Sequence, residues 1–196
     1  MKLFFVPNNP EKTVLVSASG VPHYKVDTTQ KGLFRSASKT IIQRCSGKGE
    51  ATPLAEVQWL RWTHPIVKSH VFDGTQQQVD LRDFLYKIGR SFTTSRYFLG
   101  NDEQEYKWKV VREIGHMTLT NCRTKLVVAR YFEDDVAEGH FQGQRMWCLQ
   151  MQPSSLDIDL VVLTLLIMEK RRRDRLTDPK CPYREEGNVE GGAGEC

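Results

Sequence analysis

Five histidines, five cysteines and one dense run of cations are the side chains with most chemistry to offer in this 196-residue chain. His23, His64, His70, His116 and His140 are scattered, with no i, i+4 pair and no His-x-His, so none reads as half of a metal site. Cys45, Cys122, Cys148, Cys181 and Cys196 contain no Cys-x-x-Cys, and none has a sequence neighbour that would favour a thiolate. Glu133, Asp134, Asp135 and Glu138 crowd one segment without the alternating ligand spacing of a calcium loop, and they read as a solvated acidic loop. Nucleophile-elbow, phosphate-loop and dinucleotide fingerprints are absent, and Gly47-Lys48-Gly49 reads as a turn. The sequence therefore predicts no catalytic residue, no metal and no cofactor.

Lys170, Arg171, Arg172, Arg173 and Arg175 form the most functional-looking surface. Three readings compete for them. Cations at the end of a helix complement its dipole and keep that end soluble. They also attract anionic lipid headgroups, at roughly 1 kcal/mol per basic residue near a charged surface. Nuclear import or nucleic-acid contact is the third reading. A net charge of +4 is too small to argue for nucleic acid by itself, and the aromatics look internal rather than interleaved with the cations.

The element that must carry this cluster immediately precedes it. Leu160, Val161, Val162, Leu163, Leu165, Leu166, Ile167 and Met168 are interrupted only by Thr164. At 3.6 residues per turn such a run is apolar on every side of a helix. It is less than half of the roughly 20 residues that a bilayer span needs, so it reads as a helix buried in protein. Ser154 is the expected N-cap with Asp157 three residues on, giving a helix over about 154–173.

The walls must come from the chain before it. Short alternating runs separated by turn signals predict strands at Lys2–Val6, Thr13–Ser17, His23–Thr28, Ser38–Arg44, Leu54–Trp62 and His64–Phe72. Further strands are expected at Arg96–Leu99, Glu105–Val111, Met117–Thr120, Lys125–Phe132 and Met146–Met151. Val79–Lys87 is ambiguous, because Leu81, Phe84, Leu85 and Ile88 fit a helical stripe while Val79, Leu81 and Asp83 alternate. Tyr106, Trp108, Trp59, Trp62 and Trp147 read as packing, with Lys107 and Lys109 on the opposite face of their strand. A sheet laid beside an all-apolar helix would leave one flank of it wet, whereas a sheet wrapped round it would not. The expected fold is mainly β: an antiparallel barrel of about ten to twelve strands, over residues 1–175, enclosing its C-terminal helix. Residues 176–196, Gly-rich and acidic, read as a disordered tail.

Several stretches carry a family resemblance. HYKVDT at 23–28, LAEVQW at 54–59, YFLGNDEQEYKWKV at 97–110, LVVARY at 126–131 and SLDIDLVVLTLLIMEKRRRDR at 155–175 together resemble a family of uncharacterised basidiomycete fungal domains. That family is in turn similar to the tubby C-terminal, LURP-one and phospholipid-scramblase barrels. The resemblance implies a β-barrel around a hydrophobic C-terminal helix and supplies no catalytic residues. The basic-residue motif with which tubby proteins hold phosphoinositides has no match here.

The expectation is a non-enzymatic binding or scaffold module, associating peripherally with anionic membranes through Lys170–Arg175. Its protein partner is unspecified, and nucleic acid is disfavoured. An enzyme with a pocket at a barrel mouth is the alternative from another class. No signal peptide or transmembrane span is read, and the unpaired cysteines suggest a cytoplasmic or nuclear setting.

Overall fold

The computed structural model describes residues 1–31, 37–46, 51–60, 63–72, 77–88, 94–111 and 114–177. Twelve strands form one antiparallel sheet: β1 (Lys2–Val6), β2 (Lys12–Val16), β3 (Pro22–Lys31), β4 (Ala37–Cys45), β5 (Ala51–Leu60), β6 (Ile66–Ser69), β7 (Gln77–Asp80), β8 (Arg96–Leu99), β9 (Glu105–Val110), β10 (Met117–Asn121), β11 (Val127–Asp135) and β12 (Arg145–Met151). Between β7 and β8 lies a single helical turn, α1 (Leu81–Phe84), and the last described element is α2 (Ile158–Thr177).

The ladder runs β7-β6-β5-β4-β3-β2-β1-β12-β11-β10-β9-β8, so each half is a meander and the two halves join where β1 pairs with β12. Strands from both halves reach the same helix. Tyr24 of β3 and Trp59 of β5 touch it from one side, and Trp108 of β9 and Tyr131 of β11 from the other. Every residue from Asp159 to Lys170 is buried, which is the enclosure that an all-apolar helix demands. One polar residue in the run, Thr164, is satisfied there: its hydroxyl donates to the Leu160 carbonyl at 2.7 Å and accepts from Trp108 Nε1 at 2.9 Å.

Among the described residues no strand pairing joins β7 to β8 across the seam. Tyr86 fills part of it, exchanging main-chain hydrogen bonds with Tyr97 of β8 at 3.0 and 2.9 Å. The ambiguous stretch 79–88 thus resolves into both of its readings. Val79 lies in β7, and Asp80, the last residue of that strand, caps a single helical turn by accepting from the Arg82 N–H at 2.8 Å.

Two boundaries differ from expectation for visible reasons. Asp157, not Ser154, caps α2: its carboxylate accepts from the Asp159 N–H at 2.9 Å, while Asn101 holds the Asp157 N–H at 2.7 Å. The chain stays irregular until that side chain guides it into the barrel, and the helix begins four residues late. At its far end α2 continues to Thr177 because Glu169, Lys170, Arg172, Arg173 and Asp174 form i, i+3 and i, i+4 ion pairs that support further turns.

The expected acidic loop is also divided. Glu133, Asp134 and Asp135 belong to β11, with Asp134 paired to Lys2 and Glu133 to Arg145. The rest folds over outward-facing Phe4, Val16 and Cys148 as a second small core, with Phe141 lying 6.0 Å from the Phe4 ring. Gly139 is required at that contact. It adopts φ +92°, and a side chain there would collide with the Ala18 carbonyl. Tyr106, Trp108 and Trp59 are core residues, and Trp147 packs against the core. Trp62, the Gly47-Lys48-Gly49 turn, Cys181, Cys196 and most of the 176–196 tail lie outside the described residues.

Candidate binding surface at the basic end of the helix

Glu169 organises the end of α2. Its carboxylate is fully buried, and its oxygens accept from Arg172 Nε at 2.7 Å, Arg172 Nη2 at 2.8 Å and Arg173 Nε at 2.7 Å. Arg173 also donates to the Asn8 carbonyl and to Asn8 Oδ1, both at 2.8 Å, which ties the helix to the turn after β1. Beside them, burial raises the Tyr131 hydroxyl far above its ordinary pKa, and the nearby Glu169 charge adds to the effect. That phenol stays protonated and donates to Asn8 Oδ1 at 3.0 Å.

Lys170 is drawn inward. Its ammonium bonds Glu11 at 2.6 Å and Asp174 at 3.1 Å, and lies 5.0 Å from the centre of the Trp59 ring. Burial pushes the Asp174 carboxyl upward, against the pull of Lys170. Arg171 and Arg175 are half-buried on the same turns. Five cations therefore share this end with three carboxylates, Glu11, Glu169 and Asp174. The cluster is partly spent on holding the helix in place.

What surrounds it is apolar and wet. The turn between β9 and β10 packs on the helix here: a side chain at Gly115 would meet the Arg172 guanidinium at 2.9 Å. On that turn Val111 and Ile114 are 40% and 54% exposed. Leu176, one turn beyond Arg172 on the same helix face, is 71% exposed.

The opposite end of the barrel holds a cleft of about 550 Å³ lined by residues that include Arg44, Thr52, His70, Asn101, Asp157 and Asp159. Asp159 is buried and committed, accepting from the Tyr24 hydroxyl at 2.7 Å and from the Arg44 guanidinium. Burial raises the Tyr24 pKa to about 12, so it remains a donor. His70 shares that cleft with the two carboxylates. The other histidines lie apart: His116 is wedged between Phe132 and Trp147, and His140 sits against Phe141. Burial pushes the Cys148 thiol up to about 12 and also raises Cys122, so both are poor thiolates. Among the described residues no group of histidines, cysteines and carboxylates could hold a metal ion.

Residues 8–174 match the family of unknown function DUF6593. The chain belongs to that family. The match to DUF6593 begins at Asn8, the residue that receives Arg173, and ends at Asp174, the partner of Lys170, so it covers β2 to β12 and the paired turns of the helix. No curated protein and no solved structure matches this DUF6593 chain. None of its described helices is long and apolar enough to cross a membrane.

Proposed function

We propose that this DUF6593 domain is a non-enzymatic binding module of the tubby and LURP-one kind, of the type found in basidiomycete fungi, and that it docks peripherally on anionic membrane lipids. The architecture supports the first part: twelve antiparallel strands wrapped on a hydrophobic C-terminal helix are what that resemblance implies. The observation that carries the second is the grouping of exposed Val111, Ile114 and Leu176 beside the basic last turns of α2. Aliphatic side chains gain by leaving water for the headgroup boundary, and nearby cations gain from the negative surface potential. Peripheral docking also fits the free thiols among the described residues, Cys45, Cys122 and Cys148, which suit the reducing, intracellular side of a membrane.

The test is co-sedimentation with phosphatidylserine-containing vesicles across a salt series. Arg172 and Arg173 are poor targets because they neutralise buried Glu169, so the informative variants are Ile114→Asp, Leu176→Asp and the pair Arg171→Gln/Arg175→Gln. Each is expected to weaken binding by fivefold or more, with wild-type binding fading as salt rises. Absence of wild-type binding at low salt removes the proposal.

A further inference from the structure

A second group of cations lies away from the helix end, on the outer face of β9, β10 and β11. Alternation along β9 buries Tyr106, Trp108 and Val110 and turns Lys107, Lys109 and then Val111 outward. The register sets Lys109 beside Thr118 of β10, and Thr118 beside Arg130 of β11. Lys109 and Arg130 therefore stand in one row, two strands or about 10 Å apart, with a small hydroxyl between them. The turn joining β10 to β11 adds exposed Arg123 and Lys125. None of these five cations enters an ion pair among the described residues, and Lys107 rests over the Tyr97 ring at 5.5 Å. The outward carboxylate of β9, Glu105, accepts a hydrogen bond from the Tyr86 hydroxyl at 2.7 Å.

We propose that this face of β9–β11 is the surface that seats the phosphate headgroups of an anionic bilayer, with the helix end as its margin. The proposal rests on the membrane reading above and moves its main contact. Charge complementarity alone would fit any polyanion. The bilayer is singled out by exposed aliphatic side chains at the corners of the same face: Leu99 at 59%, Val111 at 40% and Leu126 at 67% exposure. A lipid interface dehydrates such groups, whereas a nucleic-acid backbone offers them nothing.

The experiment compares wild type, Lys109→Gln/Arg130→Gln, Leu99→Ser/Leu126→Ser and Arg171→Gln/Arg175→Gln. Each is titrated at low salt with vesicles of phosphatidylcholine and phosphatidylserine, and with a short DNA duplex. All substituted residues of the first two pairs are exposed, so folding is expected to survive, and melting curves check it. The expected result is a loss of about thirtyfold on vesicles for the Lys109/Arg130 pair, at roughly fivefold per neutralised cation. The aliphatic pair should weaken vesicle binding and leave any duplex binding unchanged. If wild type binds vesicles and the Lys109/Arg130 variant binds equally well, this surface is wrong while the membrane reading stands. If wild type binds no vesicles, both fall. Tighter binding to the duplex, lost in the Lys109/Arg130 variant, would reassign the face to nucleic acid and overturn the proposal.

Discussion

At the scale of single residues, the charges of this domain are placed to serve its own fold first. Glu169 shows it: a carboxylate with no access to water is tolerable only because two guanidinium groups meet it with hydrogen-bonding geometry. Asp102 plays a comparable part at the other end. Burial pushes its carboxyl up, but the Ser155 hydroxyl, the Tyr106 hydroxyl at 2.7 Å and the Gln104 N–H at 3.2 Å outweigh that and hold it below the ordinary range. A carboxyl whose folded pKa is depressed contributes stability above its unfolded pKa of about 4 and loses it as pH falls through the folded value. Asp102→Asn should therefore flatten the acid limb of the stability curve between about pH 5 and pH 2. Urea midpoints measured across that range check it, and an unchanged slope would count against the assigned bonds.

At the scale of elements, α2 is the wall-to-wall core, and the polar contact at the middle of its apolar run, Thr164 with Trp108, is a sensitive joint. Thr164→Val keeps the shape and removes the acceptor from Trp108 Nε1, which is fully buried. Leaving that donor unsatisfied is expected to cost about 1–3 kcal/mol. Thr164→Ser, which retains the hydroxyl, should cost less. Urea unfolding of the two variants separates lost hydrogen bonding from lost packing; equal destabilisation would point to packing alone. The all-apolar pattern of α2 was legible because no surface arrangement accommodates it. The choice of Asp157 over Ser154 as its cap was not, because the bond from the Asp157 N–H to Asn101 joins residues 56 apart in the chain.

At the scale of the molecule, the sheet is a strip rolled round a rod, with β7 and β8 meeting at a seam. Edge strands open by breaking one ladder, central strands by breaking two. Hydrogen exchange at the β7 amides, Gln77–Asp80, should therefore be faster than at the β3 amides around Tyr24 and Val26, which are paired on both sides. Equal protection would imply a seam tighter than its main-chain bonds provide. The same rolling decides which outer faces exist. Lys109 and Arg130 stand on different strands, and nothing short of the register of β9, β10 and β11 places them in one row.

By itself the sequence determined the class of fold. Strand-length alternation followed by an apolar run on every helical face leaves few ways to keep both dry, and enclosure is the one adopted. Alternation also determined which side of β9 faces water, so Lys107 and Lys109 were legible as outward. Tertiary structure alone decided the electrostatics. The partners of Lys170 and Arg173, Glu11 and Asn8, lie 159 and 165 residues away along the chain. A run of five cations is thus free or spent only once the fold brings distant acceptors to it, because Coulomb and hydrogen-bond energies depend on separation in space and on burial, not on position in the chain.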